Sequence, residues 1–166
     1  FFLKNGILIN EIDSKDGEHA LFHACKTNAI DAIQFLCDHG AHINLKNKYG
    51  TTSLYVASEK GHIEAMKILI GKGANVNLKR NNGSSPLHYV SVKGNLEAMK
   101  ILIENGANID EKNENGKTPL YFATGSNQIE AMNLLIKEGA NVNEIENNGS
   151  SCLHLASLEG KLHPLL

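Results

Sequence analysis

Apolar and polar positions follow one another along this chain in an order that returns every 33 residues. One leucine position and two glycine positions show the period most clearly. The leucines are Leu21, Leu54, Leu87, Leu120 and Leu153, and the glycines are Gly17, Gly50, Gly83, Gly116 and Gly149 with Gly40, Gly73, Gly106 and Gly139. Three interleaved series of this length indicate an internal repeat, in which each copy is one supersecondary element.

The first helix of each repeat is predicted by signals at its N-terminus. In the repeat at residues 83–115, Ser85 is a good N-cap and Pro86 suits the first helical position. We therefore expect a short helix over residues 86–92, ended by a turn at Gly94. Glycine and asparagine most readily adopt positive φ, and only they occupy this turn position in the other repeats. The equivalent residues are Asn28, Gly61, Asn127 and Gly160.

The second helix is predicted by an apolar stripe of helical period over residues 96–104. The stripe includes Met99, which recurs as Met66 and Met132. We assign these methionines to core packing in preference to a flexible binding groove. After the C-terminal cap at Gly106, polar turn-forming residues predict a protruding loop or β-hairpin.

A two-helix repeat of this size cannot cover its own apolar face, so it is stable only when it stacks on a neighbour. We therefore predict an all-α fold of stacked helix-turn-helix repeats, arranged as a single array over residues 1–166. The predicted divisions are the tail of a preceding repeat at residues 1–10, complete repeats at 17–49, 50–82, 83–115 and 116–148, and a truncated fifth repeat at 149–166.

The repeated motif resembles that of the ankyrin repeat family. GSSPLHYV at residues 83–90 and GKTPLYFA at residues 116–123 are similar to the first half of the family motif. ILIENGANID at residues 101–110 and LLIKEGANVN at residues 134–143 are similar to its second half. The resemblance covers nearly the whole chain and implies an all-α ankyrin-repeat solenoid with protruding loops or β-hairpins.

The resemblance also implies a role for one histidine in each repeat. His88 and His154 stand where the family histidine joins a hydrogen-bond network that holds the first helix and the loop. Phe22, Tyr55 and Tyr121 replace it in the other repeats. We expect a weaker or different network there.

Composition and charge exclude several classes of function. The net charge is -2, so the chain has no global basic field for nucleic acid and no polybasic arm for a membrane. No apolar run approaches the roughly 20 residues that span a bilayer, so we expect no membrane insertion. The chain begins with Phe1, which indicates a fragment or a processed piece of a longer protein.

The cysteines form no pattern. Cys25, Cys37 and Cys152 lack the spacing of a disulfide framework or a structural zinc site. Scattered thiols suit a reducing compartment, so we expect an intracellular protein, cytoplasmic or nuclear. A secreted effector or toxin is the open alternative.

No residues point convincingly to catalysis or metal binding. His19 and His23, with Cys25 nearby, have a helical spacing that can bind zinc, but no HExxH-type acidic residue accompanies them. We assign them to packing or to the surface, and we assign His39 and His42, which flank a turn, in the same way. No phosphate-binding loop or catalytic set can be nominated. We therefore predict no enzyme activity, no cofactor and no metal in this segment.

In proteins that resemble this one, loop tips and the outward faces of the first helices line a concave groove that binds a partner protein. The loops LKNKY and LKRNN in the middle of the chain are basic. We therefore predict a protein partner with an acidic or carbonyl-rich segment, and Tyr49 as an aromatic anchor. The predicted partner-binding residues are Lys46, Lys48, Tyr49, Lys79, Arg80, Asn82, Lys93 and Lys112.

Two alternatives to a non-catalytic binding module stay open. The chain could be the ankyrin portion of a larger enzyme, channel, toxin or secreted effector whose active domain lies outside this segment. A nucleic-acid binder would depend only on the basic middle loops, among which few aromatic residues are interleaved, so we expect no nucleic-acid partner.

Overall fold

The computed structural model describes residues 8–158, and this part of the chain contains nine helices. In chain order they are α1 (Ala20–Lys26), α2 (Ile30–Asp38), α3 (Ser53–Lys60), α4 (Ile63–Gly71), α5 (Pro86–Lys93), α6 (Leu96–Glu104), α7 (Pro119–Gly125), α8 (Ile129–Lys137) and α9 (Cys152–Leu158). Backbone pairing of the β type in residues 8–158 is limited to two isolated bridges, Ile12 with His19 and Ile145 with Ser151. The predicted all-α fold is therefore confirmed, and its loops are turns rather than paired strands.

The chain divides into two compact units, unit 1 (Phe1–Asn81) and unit 2 (Asn82–Leu166). In unit 1, α1 packs on α2 and α3, and α4 packs on α3 and α2. In unit 2, α5 packs on α6 and α7, while α7 packs on α8 and α9. Each unit thus repeats one arrangement, in which first helices pack on first helices and second helices lie behind them. None of the helices between residues 8 and 158 has the length and apolar character needed to cross a membrane.

The predicted repeat limits and the single array over residues 1–166 stay predictions. Residues 1–7 of the predicted preceding tail lie outside the described residues. The same holds for residues 159–166 of the predicted truncated repeat, which include Gly160 of the turn series.

The helix limits follow the local signals in the sequence. α6 occupies the predicted residues 96–104, and α5 extends one residue beyond the predicted 86–92. Ser85 and His88 form a capping box at the N-terminus of α5, with proline at the first helical position. Gly94 ends the helix with φ 65, as predicted. Asn28 and Asn127 adopt φ 56 and 55 at the equivalent turns.

The apolar stripe of the second helices forms the core. Met66, Met99 and Met132 are each 0% exposed, which confirms their assignment to packing. Leu54 and Leu120 of the first helices are each 1% exposed. Full burial of such a side chain contributes roughly 1.5–3 kcal/mol, so these positions hold the repeats together.

Hydrogen bonds between successive loops fix the loop tips. In both units a backbone N–H of one loop donates to a carbonyl of the loop before it. The pairs are Lys48 to Asp16 (2.9 Å), Asn81 to Tyr49 (3.0 Å), Glu114 to Asn82 (3.2 Å) and Asn147 to Asn115 (3.1 Å). The loops approach each other so closely that a Cβ on Gly50, at a loop tip, would lie 2.7 Å from the backbone nitrogen of Asn81.

Asparagine side chains brace the turns that follow α2 and α4. The Asn44 Oδ1 accepts the Asn75 N–H at 2.8 Å, and its Nδ2 donates to the Gly73 carbonyl at 3.2 Å. Asn10 makes the equivalent pair of bonds one repeat earlier. One asparagine side chain thus bonds both a backbone N–H and a backbone carbonyl of the next repeat. This role explains why some of the asparagines recur along the chain.

Candidate protein-interaction site

The predicted partner-binding residues lie on loops and first helices of both units. Unit 1 carries Lys46, Lys48, Tyr49, Lys79 and Arg80, and unit 2 carries Asn82, Lys93 and Lys112. Within unit 1 the structure brings Tyr49 and Arg80 together at one cleft. The other predicted residues of unit 1 lie on the loops outside the lining of this cleft.

This cleft, named here the unit 1 cleft, has a volume of about 180 Å³. Phe22 and Val56 line it as apolar residues and are each 3% exposed. Its charged lining residues are Glu18, Lys26, Glu59, Lys60 and Arg80, and Tyr49 adds an aromatic wall. A cleft with an apolar floor and a charged rim suits a polar side chain of a partner better than a purely apolar one.

Arg80 stands out among the basic residues. It is the only arginine in the sequence. Its guanidinium carbon lies 5.3 Å from the centroid of the buried Tyr55 ring, which is the geometry of a cation–π contact. No carboxylate of residues 8–158 forms an ion pair with it. Its charge therefore lies over an aromatic ring and forms no ion pair within the part of the chain that the structure describes.

Tyr49 is held in place while remaining available for contact. The residue is 53% exposed. Its hydroxyl donates to the Asp16 Oδ1 at 3.1 Å, and this hydrogen bond raises the pKa of Tyr49. A tyrosine whose position is fixed by one hydrogen bond and whose ring is exposed suits an anchor role, because little conformational entropy is lost when a partner covers it.

The lysines of the loops have a structural task that the sequence analysis missed. The Lys46 Nζ donates to the Lys79 carbonyl at 2.8 Å. The Lys48 Nζ donates to the carbonyls of Ser14, at 2.7 Å, and of Lys15. These side chains brace one loop against the next, since each ammonium bonds a backbone acceptor about one repeat away. The N–H donors of both ammonium groups are therefore partly used in hydrogen bonds within the chain.

The predicted residues of unit 2 are engaged to different extents. The Lys112 Nζ lies 2.6 Å from the Glu144 Oε2, and this ion pair lowers the pKa of Glu144. The Asn82 Oδ1 accepts the Ser84 N–H at 3.1 Å and closes a local turn. Lys93 is exposed, with its Nζ 5.7 Å from the centroid of the Tyr89 ring.

Tyr121 and Glu146 of unit 2 stand two repeat lengths after Tyr55 and Arg80, so they form the equivalent pair. The Tyr121 hydroxyl donates to the Glu146 Oε1 at 2.7 Å. The Lys117 Nζ lies 4.8 Å from the centroid of the Tyr121 ring and 3.5 Å from the Glu146 Oε2. Glu146 is only 8% exposed. A cation therefore lies over the tyrosine ring here as well, and this cation has a carboxylate partner within the chain.

His88 has the structural role that the family resemblance implied. The Ser85 N–H donates to its Nδ1 at 3.1 Å. Nδ1 is thus an acceptor, which leaves the proton on Nε2, where it bonds the Lys117 carbonyl at 3.0 Å. His154 repeats the bond to a serine, with its Nδ1 2.8 Å from the Ser151 Oγ. Tyr55 and Tyr121 use ring and hydroxyl contacts instead, which confirms that the network differs in their repeats.

The histidines and cysteine considered for zinc do not converge. His19 and Cys25 are 1% and 0% exposed, whereas His23 is exposed on the surface. Burial raises the pKa of the Cys25 thiol to about 12, so the thiol stays protonated at neutral pH and is a poor metal ligand.

A different group, Asp13, Glu18 and His23, could hold a metal ion, because its ligand atoms lie within 4.8 Å of one another. Asp13 already accepts the backbone N–H groups of Lys15, Asp16 and Glu18 at 2.7–2.9 Å, which lowers its pKa. The Lys26 Nζ lies 3.5 Å from the Glu18 Oε2. The cluster therefore braces the first loop, and a cation would compete with Lys26. Sequence reasoning missed it because Asp13 lies in the loop, ten positions before His23.

Comparison with protein families adds a further observation. The family model described as "Ankyrin repeats (3 copies)" matches residues 1–80 and again residues 87–163, which together are most of the chain. A search of curated proteins finds no match.

Proposed function

Because this chain belongs to the ankyrin repeat family, whose members are generally protein–protein interaction modules, we propose that it binds a partner protein without catalysis. Loop tips and the outward faces of the first helices supply the contacts in this proposal. The main contact lies at the unit 1 cleft, where the partner presents an acidic segment.

The observation that carries this proposal is the environment of Tyr49 and Arg80 in unit 1. Both line a cleft with an apolar floor, Tyr49 is 53% exposed, and Arg80 forms no ion pair with a carboxylate of residues 8–158. Tyrosine and arginine are the residue types most often found where a few residues carry most of the binding energy of an interface. By contrast, the repeated asparagine, glycine and capping residues make contacts that stabilise the repeats themselves.

The charge of the nearby loops supports an acidic partner segment. Lys46 and Lys48 are exposed basic side chains whose ammonium groups donate to backbone carbonyls. Surface charges of one sign steer an oppositely charged partner and accelerate association. Association should therefore slow as the salt concentration rises.

We also propose an intracellular location, cytoplasmic or nuclear. Cys25, Cys37 and Cys152 are free thiols, and burial raises the pKa of each, so all three favour the protonated form. Free thiols of this kind suit a reducing compartment. Thiol titration of protein purified from its native cell tests this, and a recovered disulfide would contradict it.

The test begins with capture of partner proteins on the whole chain, followed by calorimetric titration of each purified partner. We expect simultaneous alanine substitution of Lys46, Lys48, Tyr49, Lys79 and Arg80 to weaken affinity by about tenfold or more. The control replaces exposed Lys100 and Lys137 of the second helices by alanine and should bind like the parent. Equal affinity of the five-residue variant and the parent would contradict this location. Failure of every purified partner to bind would contradict the function.

A further inference from the structure

We propose that Arg80 is the receptor for a single carboxylate side chain of the partner protein, which enters the unit 1 cleft and forms a forked ion pair with its guanidinium. This inference rests on the proposed function and specifies the chemistry of its central contact. The ligand is an aspartate or glutamate within an acidic segment of the partner.

Each unit places a cation over a tyrosine ring. In unit 2 the Lys117 cation over the Tyr121 ring is neutralised by Glu146 at 3.5 Å. In unit 1 the Arg80 cation over the Tyr55 ring occupies the loop position that Glu146 holds in unit 2, and Thr51 stands where Lys117 does. Arg80 forms no ion pair with a carboxylate of residues 8–158, and a carboxylate of the partner supplies the missing negative charge.

Arg80 differs from the other cations of the chain in the shape of its charged group. Every other permanently basic side chain in the sequence is a lysine. Arginine presents a planar fork of donors that matches both oxygens of a carboxylate, whereas lysine offers a compact point charge. The contact with the Tyr55 ring at 5.3 Å restricts the Arg80 side chain before binding, so less side-chain entropy is lost when the ion pair forms.

The size and the apolar floor of the unit 1 cleft suit a single side chain. A volume of about 180 Å³ is small for a drug-sized ligand and suits one side chain. Phe22 and Val56 give it an apolar floor. A side chain that covers this floor excludes water from the ion pair, and exclusion of water strengthens the electrostatic attraction.

The charged rim of the unit 1 cleft favours a carboxylate over a phosphate. Two carboxylates, Glu18 and Glu59, and three cations, Lys26, Lys60 and Arg80, line the cleft, so its formal net charge is +1. This net charge matches a singly charged ligand, whereas recognition of a doubly charged phosphate generally uses several arginines together.

The test is selection of random peptides from a display library on the whole chain, followed by affinity measurement on the purified variants. Peptides selected by the parent should share an aspartate or glutamate at one position. Arg80→Glu should weaken their binding by about tenfold or more, since a charge-assisted forked pair is lost. Lys137→Glu is the matched control, because it changes the net charge equally at an exposed position of α8, and it should leave affinity within about twofold.

A charge reversal completes the test. Replacing the shared acidic residue of the peptide by lysine should restore binding to Arg80→Glu and abolish binding to the parent. Arg80→Lys keeps the charge without the fork and should bind several-fold more weakly, so it decides the question if circular dichroism shows Arg80→Glu to be unfolded.

The outcomes separate this inference from the function on which it rests. Selected peptides that are basic or apolar, or that bind Arg80→Glu as tightly as the parent, overturn the carboxylate receptor and leave the binding module standing. If the parent selects no peptide above the background of an uncoated surface, the proposed function and this inference both fail.

Discussion

Unit 1 and unit 2 share one pattern of helix packing and one pattern of hydrogen bonds between successive loops. At one equivalent loop position, however, they carry side chains of opposite charge. Unit 2 has Glu146 there, buried and bonded to Tyr121 and Lys117. Unit 1 has Arg80 there, placed over Tyr55 without a carboxylate from the described residues. The cation also comes from a different position, because Thr51 stands in unit 1 where Lys117 stands in unit 2. Unit 2 therefore has an internally paired cluster at this loop, whereas the cation of unit 1 forms no ion pair with a carboxylate of the described residues.

The difference shows how a repeat array separates stability from recognition. A hydrogen bond to a charged, buried group such as Glu146 contributes roughly 1.5–3 kcal/mol to stability. A partly exposed cation–π contact such as that of Arg80 contributes only about 0.5–1 kcal/mol. The contacts at this position should therefore stabilise unit 2 more than unit 1, which is consistent with the proposed use of Arg80 in recognition.

The largest effect should come from the core, where the two units are alike. Leu54→Ala in unit 1 and Leu120→Ala in unit 2 each remove a side chain that is 1% exposed. We expect each to lower the free energy of unfolding by about 2–5 kcal/mol, because a cavity is left behind. Urea unfolding followed by circular dichroism measures this, and a much smaller cost in one unit would mean that the cores are not equivalent.

The next effect concerns the loop tips. A Cβ on Gly50 would lie 2.7 Å from the Asn81 nitrogen, and one on Gly116 would lie 2.9 Å from the Asn147 nitrogen. Gly50→Ala and Gly116→Ala should each cost about 1–3 kcal/mol more than Gly40→Ala, because of steric overlap. Gly40 is the control, because it also has a positive φ but a Cβ placed on it would contact nothing within 4 Å. Equal costs for all three would show that the loops do not approach each other closely.

The sequence was sufficient for the fold because each repeat carries its own signals. The apolar stripe predicted α6 at its observed limits, and Gly94 predicted the positive φ that ends α5. These features depend on residues that are neighbours along the chain, so they can be recognised without coordinates.

The candidate site could be predicted only in part, because it depends on contacts between repeats. Lys46, Lys48 and Arg80 looked equivalent in sequence, as basic residues on loops. The structure separates them, since both lysines bond backbone carbonyls of neighbouring loops while Arg80 lies over Tyr55. The role of Glu18 in the unit 1 cleft was missed for the same reason.

The third effect tests the internal pair of unit 2. Tyr121→Phe removes the hydroxyl that donates to the Glu146 Oε1 at 2.7 Å. We expect a loss of about 1.5 kcal/mol of stability, because the buried carboxylate loses a hydrogen bond. Arg80→Gln in unit 1 should cost less, at most about 1 kcal/mol, since only a cation–π contact is lost. The reverse order in thermal or urea unfolding would invalidate the distinction between the two units.

The smallest effect concerns His19, which occupies the helix-cap position that holds Thr52 one repeat later. The Thr52 Oγ1 accepts the Tyr55 N–H at 3.1 Å, whereas the His19 side chain makes no capping bond to α1. His19→Thr adds a capping bond and removes two buried ring nitrogens that have no hydrogen-bond partner among the described residues, and these gains should exceed the packing lost with the smaller side chain. We therefore expect it to stabilise unit 1 by about 1 kcal/mol. Urea unfolding at neutral pH measures this, and a destabilised variant would contradict the capping argument.

The same substitution should change the pH dependence of stability. Burial lowers the pKa of His19, the nearby His23 and His42 lower it further, and the Leu45 backbone opposes the shift. The unfolded chain, with an ordinary pKa of 6.5, therefore binds a proton first as the pH falls. Stability is thus full above this value and falls as the pH drops from it towards the lowered pKa. Unfolding midpoints at several pH values should show a weaker decline for His19→Thr than for the parent, and equal declines would rule out His19 as the cause.

The most direct test of the comparison uses the fact that Arg80 is the only arginine in the sequence, so the arginine Nε–Hε region of a ¹⁵N NMR spectrum contains one signal. This signal should move saturably when an acidic peptide selected on the parent is added, and it should not move with the matching glutamine peptide. Binding of the acidic peptide with an unmoved Arg80 signal would show that unit 1 does not offer an open carboxylate site.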